Sequence, residues 1–301
     1  MAVDFAQALA AGPLVLDGGL SNQLVAAGHR LDDDPLWSAR LLLDDPEALV
    51  AAHGAYYAAG AQVVITASYQ ASFAGFARRG VGRRGAARLL GESVALARRA
   101  AAGEPGRWVA ASVGPYGAVL ADGSEYRGRY GVGAAELERF HRPRIEALVA
   151  AAPDVLALET VPDVEEARAL VRAVRGLAVP VWLSYTVAGG RTRAGQPLAE
   201  AFAVAAEAPE VVAVGVNCCA PEEVGEAVRV AAAVTGKPVV AYPNSGERWD
   251  PADRAFRGAG RGPADFAPPW VAAGARLVGG CCRVGPAQIA QLSERLAARH
   301  R

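Results

Sequence analysis

Residues 154–174 read DVLALETVPDVEEARALVRAV, a short apolar run followed by a longer amphipathic stretch. The run at 154–158 has the composition and length that predict a buried strand. The Ala-rich stretch at 164–174 has the length and the polar–apolar pattern of a helix that packs on a sheet. A strand followed by a helix is part of a βαβ unit, and repeated units of this kind build a parallel sheet covered by helices.

The same alternation continues along the chain. Short runs rich in Val, Ile and Leu lie at 13–16, 62–66, 108–113, 154–158, 179–185, 211–216, 238–242 and 276–278. Amphipathic stretches of helical length lie between them, among them 46–59, 85–101, 134–151, 164–174, 221–234 and 286–299. Eight such units within 301 residues predict an α/β fold, a single (β/α)8 TIM-type barrel over residues 1–301. A doubly wound sheet is the alternative, but it usually opens on a Gly-rich phosphate loop, and Asp17-Gly18-Gly19 is too short for one.

Charge and hydropathy exclude several classes of partner. The chain has 31 Lys and Arg against 31 Asp and Glu, so it lacks the basic excess of a protein that binds nucleic acid or anionic membranes. No apolar run approaches the ~20 residues of a membrane span, and no basic region precedes an apolar stretch at the N-terminus, as in a secretory signal. We therefore expect a cytoplasmic protein whose partners are small molecules, not nucleic acid or membrane.

All four cysteines fall in two adjacent pairs, Cys218-Cys219 and Cys281-Cys282. A disulfide framework would scatter them, so we expect free thiols or metal ligands. The pairs follow the sixth and eighth predicted strands, and a barrel carries its active site at the C-terminal ends of its strands. Three or four converging thiolates favour Zn²⁺, and three would leave an open, catalytic position. Side-chain alternation puts Cys218 and Cys219 on opposite faces unless the strand has ended, so spacing leaves the ligand between them undecided.

Two carboxylates also follow predicted strands, Asp17 after the first and Glu159 after the fourth. They could bind a substrate ammonium, with the amides of Gly18 and Gly19 free to meet its carboxylate. The alternative for Asp17 is ordinary turn closure. No histidine is predicted at these strand ends, so the sequence supports no histidine acid or base.

Aromatic residues lie in or beside the same loops, at Trp37, Tyr69 and Tyr116. Their faces could hold an onium group above an open site, although packing is the usual role of such residues.

With these residues assembled, the sequence closely resembles the homocysteine S-methyltransferase family. The resemblance is strongest to the branch of that family that uses S-methylmethionine as methyl donor. The matching segments are LDGGLSNQL (16–24), LWSARLL (36–42), ITASYQASFAGFARRG (65–80), SVGPYGAVLADGSEYRGRY (112–130), FHRPRIEAL (140–148), GVNCCAPE (215–222), YPNSGE (242–247) and GARLVGGCCR (274–283). The resemblance implies zinc-dependent transfer of a methyl group from S-methylmethionine, or from S-adenosylmethionine, to the thiol of L-homocysteine, which forms methionine.

The resemblance also assigns residues. It implies that the zinc ligands are Cys218, Cys281 and Cys282, with Cys219 a bystander and no catalytic residue beyond the zinc centre. For homocysteine it implies Asp17, Gly18, Gly19, Thr66, Glu159 and Asn217. For the methyl donor it implies Trp37, Tyr69, Tyr116, Asn244 and Glu247. The loop at 193–197 departs from the branch, since it reads RAGQP where SDGTP is often found.

Several alternatives stay open at this point. Within the family, the acceptor could be selenocysteine or selenohomocysteine, or the donor could be betaine. Outside it, a zinc-thiolate barrel hydrolase would need a His or carboxylate base beside the metal. A non-catalytic zinc or thiol-binding protein would have no use for an open site with paired carboxylates.

Overall fold

A computed structural model of the chain describes residues 4–32, 34–250, 255–257 and 260–298. Within these residues, eight parallel strands form one sheet: β1 (Leu14–Val15), β2 (Val63–Ile65), β3 (Trp108–Val113), β4 (Val155–Val161), β5 (Val181–Tyr185), β6 (Val211–Asn217), β7 (Val239–Tyr242) and β8 (Ala275–Val278). Their order is β1-β8-β7-β6-β5-β4-β3-β2, and a bridge between Leu16 and Val63 joins the first strand to the second. The predicted (β/α)8 barrel is confirmed.

Helices surround the barrel and fill the connections between strands. They are α1 (Phe5–Ala11), α2 (Leu20–Ala26), α3 (Leu41–Asp44), α4 (Pro46–Ala58), α5 (Phe73–Arg78), α6 (Arg83–Ala101), α7 (Tyr116–Leu120), α8 (Ala134–Val149), α9 (Val164–Val174), α10 (Leu198–Ala206), α11 (Pro221–Thr235), α12 (Ala267–Ala272) and α13 (Pro286–Ala297). The sequence prediction did not name the helices of nine residues or fewer, because so few residues do not let periodicity separate a helix from a buried strand; these are α1, α2, α3, α5, α7, α10 and α12.

Side-chain alternation along the strands creates two cores. One face points into the barrel and carries Leu14, Leu16, Val63, Trp108, Ala110, Val155, Ala157, Trp182, Ala213, Val240, Tyr242 and Leu277. The other face packs against the surrounding helices. Helix α1 joins the inner core, where Phe5 meets Trp108 edge to face with the ring centroids 6.3 Å apart. Because Trp108 begins its strand, α1 covers the N-terminal end of the barrel, opposite the polar strand ends.

Among the described residues, no helix combines the length and apolar character needed to cross a membrane. The cytoplasmic location expected from the sequence stays a prediction.

Lys237, the only lysine of the chain, connects the end of α10 to the start of β6 through hydrogen bonds. Its ammonium donates to the carbonyls of Ala205, Ala208 and Val211, each at 2.7 Å. Replacing Lys237 with Met keeps the aliphatic stem and removes these donors. The free energy of unfolding in urea should therefore fall by about 1–3 kcal/mol. Replacing the exposed Arg229 of α11 with Met is the control, and it should alter the free energy of unfolding by less than about 0.5 kcal/mol.

Candidate active site

Five polar side chains follow the inward-facing apolar residues at the C-terminal end of the barrel. Every second residue of a strand shares a face, so these residues continue the inner row. They are Ser112, Glu159, Ser184, Asn217 and Tyr242, each at most 6% exposed. The barrel interior thus changes from an apolar core to a buried polar layer just below its mouth.

Glu159 lies within this polar layer. The Ser112 hydroxyl donates to its Oε1, and the Tyr242 hydroxyl donates to its Oε2 at 2.8 Å. Burial raises the pKa of Glu159, and these two hydrogen bonds oppose the rise. A cationic partner would favour the charged form of this carboxylate.

Asp17 is the second buried carboxylate, and it is 1% exposed. Its Oδ2 accepts a hydrogen bond from the Ile65 amide at 2.8 Å, while its buried Oδ1 has no hydrogen-bond partner among the described residues. Burial raises the pKa of Asp17 well above its ordinary value; the hydrogen bond from Ile65 opposes the rise, and the charge of Glu159 adds to it. One oxygen therefore remains available to a donor from a substrate.

Asn217 and Thr66 bond to other protein groups below the mouth. The side-chain oxygen of Asn217 accepts from the Thr160 amide, and its Nδ2 donates to the Thr160 hydroxyl, both at 2.7 Å. This pair of bonds holds Thr160 at φ +58°, a conformation that β-branched residues rarely adopt. The Thr66 hydroxyl contacts Ser68 at 2.7 Å and accepts from the Ser112 amide at 3.0 Å. Their predicted contact with homocysteine stays a prediction.

The Gly18-Gly19 turn lies tightly between β1 and the end of β8. A Cβ at Gly18 would lie 2.2 Å from the Val284 carbonyl oxygen, and one at Gly19 would lie 2.7 Å from that of Cys281. The Gly19 amide donates to the Val284 carbonyl at 2.9 Å. The expectation that both amides are free for a substrate carboxylate is therefore wrong for Gly19. Here the turn needs glycine chiefly for close packing.

The sulfur atoms of Cys218, Cys281 and Cys282 lie within 4.8 Å of one another, and this group could hold a metal ion. Strand β6 ends at Asn217, and Cys218 then takes the left-handed φ of +47°. Strand alternation therefore stops before the cysteine pair. Cys219 is 4% exposed and packs in the core between barrel and helices. Burial, then the charge of Glu223, raises the pKa of Cys219 to about 12, so it is a protonated thiol at neutral pH.

The sulfur atoms of Cys218 and Cys281 lie within bonding distance of each other, with their Cα atoms 5.6 Å apart. The sequence analysis expected free thiols or metal ligands and did not predict this close approach, which the grouping of three sulfurs for a metal ion itself brings about. The physical reason is proximity, because sulfurs that converge tightly enough to share a metal ion are also close enough to bond when oxidised. The disulfide and a three-thiolate metal centre are alternative states of the same group.

The segment that follows β7 lies between the two cysteine pairs and bonds to both. The Asn244 amide donates to the Cys219 carbonyl at 2.9 Å, and its side-chain oxygen accepts from the Cys282 amide at 3.1 Å. The Cys281 amide donates to the Pro243 carbonyl at 2.7 Å, and the Ser245 amide donates to the Cys282 carbonyl at 3.0 Å. Asn244 was predicted to contact a methyl donor, but its side chain is engaged in orienting the cysteines.

Glu247 is also engaged with protein. Arg283 donates two hydrogen bonds to its carboxylate, from Nε to Oε2 and from Nη2 to Oε1, the second at 2.9 Å. The Ser245 hydroxyl also donates to Oε2, at 2.8 Å. The Arg283 guanidinium, followed by the hydrogen bond from Ser245, lowers the pKa of Glu247 against the opposing effect of burial. This paired carboxylate braces the loop after β7 against the segment after β8.

The three predicted donor aromatics occupy different surroundings. Trp37 is 37% exposed and its ring nitrogen donates to the Ser21 hydroxyl at 2.8 Å. Burial raises the pKa of Tyr69, the charge of Tyr126 adds to the rise, a hydrogen bond with the Thr160 side chain opposes it, and the charge of Glu159 makes a smaller contribution. Of the two, Tyr69 lies with the carboxylate site.

Tyr116 lies in a separate aromatic group. Its ring packs against Phe140 with centroids 4.9 Å apart and against Tyr130 at 5.4 Å. The structure therefore gives this ring packing partners on α8 and its preceding loop. Its predicted contact with a methyl donor stays a prediction.

Tyr126 is a residue at the mouth that the sequence analysis did not single out. The residue is 37% exposed, and partial burial, followed by the charge of Cys282, raises its pKa. The Arg193 guanidinium lies 5.5 Å from the centre of its ring. In the sequence, Tyr126 lies in the matching segment 112–130, and Arg193 lies in the loop 193–197 that departs from the family branch. Neither feature predicts the contact between Tyr126 and Arg193.

A sequence profile described as homocysteine S-methyltransferase matches residues 14–296. A homocysteine S-methyltransferase from Escherichia coli (strain K12) is 45% identical over 294 residues, covering 94% of each chain. The chain belongs to the homocysteine S-methyltransferase family. The resemblance seen in the sequence is thereby confirmed.

Two further relatives bear on the site. The structure of the homocysteine methyltransferase MmuM from Escherichia coli in its metallated form is similar with a TM-score of 0.84 and 44% identity, covering 94% of this chain and 96% of that one. A selenocysteine Se-methyltransferase from Brassica oleracea var. italica is 38% identical over 312 residues, covering 96% of this chain and 90% of the relative. The family thus includes a protein solved with metal and a relative named for a selenium acceptor.

Proposed function

We propose that this chain transfers a methyl group from a sulfonium donor, preferentially S-methylmethionine, to the thiol of L-homocysteine. The observation that carries the proposal is the meeting of three cysteine sulfurs with two buried carboxylates at one end of the barrel. Thiolates suit a soft metal beside a substrate sulfur, and carboxylates suit an ammonium group. Homocysteine carries both a thiol and an ammonium.

The donor set fits zinc. Three thiolates from Cys218, Cys281 and Cys282 match the all-sulfur character of soft sites and leave one position of a tetrahedral ion for substrate. When bound there, the ion supplies Lewis acidity that lowers the pKa of a substrate thiol, which is ~8.5 when free. The bonds from Pro243, Asn244 and Ser245 to the cysteine backbones keep this set in place.

Asp17 and Glu159 would hold the ammonium group of homocysteine. Both are buried, both have a raised pKa, and Oδ1 of Asp17 has no protein partner among the described residues. An ammonium bound between them would favour their charged forms and would satisfy that oxygen. Ser112 and Tyr242 orient the Glu159 carboxylate from below.

The proposed reaction is a direct displacement. The homocysteine thiol loses its proton to solvent, and the resulting sulfur lone pair forms a bond to the methyl carbon as the bond from that carbon to the sulfonium sulfur breaks. The electron pair of the broken bond stays on the departing sulfur, which leaves as a neutral thioether, methionine when the donor is S-methylmethionine. Since the leaving group needs no proton, the protein supplies orientation more than acid–base catalysis.

The donor would lie on the side of Tyr69 and Tyr126, whose rings can face a sulfonium cation. The charge of Cys282 contributes to the raised pKa of Tyr126, and that of Glu159 to the raised pKa of Tyr69, which supports placing the donor on this side of the cysteines and carboxylates. The finer choice among S-methylmethionine, S-adenosylmethionine and betaine rests on the sequence resemblance.

A selenol acceptor is a second candidate, because the relative from Brassica oleracea is named a selenocysteine Se-methyltransferase. Selenolate, like thiolate, is a soft ligand. A hydrolase with a histidine base is not supported: of the described histidines, His53 and His141 are fully buried and His29 lies 4.0 Å from Asp45. His300 lies outside the described residues.

The proposal is tested by a methyl-transfer assay on purified chain that has been reduced and loaded with zinc. Homocysteine or selenocysteine is offered with S-methylmethionine, S-adenosylmethionine or betaine in turn, and methylated products are quantified. We expect methionine from homocysteine with S-methylmethionine, and loss of that product after chelation. Undiminished transfer in protein shown to be metal-free would overturn the metal assignment, and no product with any donor would overturn the function.

A further inference from the structure

The segment 140–148, one of the stretches that resemble the family, lies within α8. Two of its side chains, His141 and Arg144, are fully buried although arginine is a surface residue in most proteins. Desolvating a guanidinium is costly unless its donors are paired with precise geometry. A completely buried arginine on a helix outside the barrel is therefore a feature that needs a reason.

The Arg144 guanidinium bonds to the backbone of two strand ends. Its Nη1 donates to the Gly114 carbonyl at 3.0 Å, and its Nη2 donates to the Tyr69 carbonyl at 3.0 Å and contacts that of Ser68 at 3.4 Å. Gly114 follows β3, whereas Ser68 and Tyr69 follow β2. One side chain thus fixes the separation between two loops that border the barrel mouth.

The nearby carboxylate is Glu166, which is also fully buried. It accepts from the Tyr116 amide at 2.6 Å and from the Tyr130 hydroxyl at 3.0 Å, and it contacts Nε2 of His141 at 2.9 Å. Burial lowers the pKa of Arg144 to about 10, with the charge of Glu166 opposing the shift, so the guanidinium is charged at neutral pH. The hydrogen bonds of Arg144 and those of Glu166 therefore both hold the loop after β3, through the Gly114 carbonyl and the Tyr116 amide.

Tyr69 connects the loops that Arg144 holds to the residues of the site. Arg144 holds its carbonyl, and its ring lies against Gly114, where an added Cβ would come within 2.7 Å of the ring. Its hydroxyl is hydrogen-bonded to the side chain of Thr160, the residue that follows Glu159. A shift of either loop would therefore move the ring relative to the carboxylate that we assign to homocysteine and to the side that we assign to the donor.

We infer that Arg144 is a positioning residue for methyl transfer, holding the Tyr69 and Gly114 loops so that the Tyr69 ring borders the donor side of the site. This inference rests on the proposed function. Arginine suits the role because its planar fork reaches two loops at once, whereas the compact ammonium of lysine cannot reproduce that geometry. Misplacing a positioning group lowers the rate without removing either substrate's charged partners.

The test compares Arg144→Lys with wild type and with Arg142→Lys as the matched control. Arg142 lies on the same helix, but it bonds to Glu138 and to the Arg172 carbonyl, away from the site. For Arg144→Lys we expect the donor KM to rise about tenfold or more, with the homocysteine KM and the zinc content within about twofold of wild type. Arg142→Lys should match wild type in all three.

Arg144→Ala provides an independent readout, since it leaves a cavity of guanidinium shape. Methylguanidinium at millimolar concentration should lower its raised donor KM, whereas methylammonium at the same concentration should not. Absence of transfer by wild type would refute the proposed function, which is a separate outcome. A donor KM for Arg144→Lys within twofold of wild type, or a parallel loss of homocysteine affinity and zinc, would overturn the positioning role.

Discussion

Replacing Cys281 with serine should remove the bound metal and, with it, methyl transfer. Two thiolates and a neutral hydroxyl form a much weaker site for a soft ion than three thiolates do. We expect the zinc content of reduced, zinc-loaded protein to fall from about one per chain to below about 0.1, and kcat/KM to fall by about 1,000-fold or more. Metal analysis after gel filtration and the methyl-transfer assay measure the two effects. Reduction comes first, because a Cys218–Cys281 disulfide withdraws two ligands together.

Cys219→Ala is the matched control for this prediction. Cys219 neighbours a proposed ligand, yet it lies in the outer core and its raised pKa keeps it protonated. Its replacement should leave the zinc content unchanged and should cost about 1 kcal/mol of stability from the small cavity. If instead the Cys219 variant lost zinc while the Cys281 variant kept it, the ligand assignment would be wrong.

The barrel could be predicted from sequence because its signal repeats. Each strand–helix unit gives an apolar run and an amphipathic stretch, and a weak indication in one unit is supported by the others. The position of the site followed from the same repetition, since every strand end of a barrel meets at one face. The short helix α12 lacked this support, with prolines at two of its six positions.

The arrangement inside the site could not be predicted in the same way. Spacing left Cys218 and Cys219 undecided, because the answer depends on one backbone angle, the positive φ of Cys218. The sequence placed Asn244 and Glu247 at the mouth, but their partners, Cys282 and Arg283, come from the segment after β8, 38 and 36 residues away in sequence. Local patterns fix which residues reach the mouth, whereas side-chain pairing among them requires the three-dimensional structure.

A buried carboxylate whose function is to bind a cationic substrate should lower the stability of the protein when no substrate is bound. The substitution Asp17→Asn tests this expectation. Asp17 has a raised pKa in the folded state, so the folded protein binds more protons than the unfolded chain at pH values between the two pKa values. Its contribution therefore becomes more destabilising as the pH rises through that window. Asn has a similar shape and no charge, so the variant should unfold at a higher temperature than wild type at pH 8, with a smaller difference at pH 5.

The same substitution should remove homocysteine binding. Loss of a buried charged partner of an ammonium group commonly costs a factor of about 100 or more, so kcat/KM for homocysteine should fall by at least that amount. Homocysteine should raise the unfolding temperature of wild type but not of the variant. Asp122→Asn is the control: interaction with Ser124, whose amide donates to this exposed carboxylate, lowers its pKa, so its loss should not stabilise the protein and should leave homocysteine kinetics unchanged. Lower stability of Asp17→Asn at pH 8 with intact homocysteine affinity would show that Asp17 is a structural turn residue, whereas higher stability with lost affinity would show a charge retained for substrate.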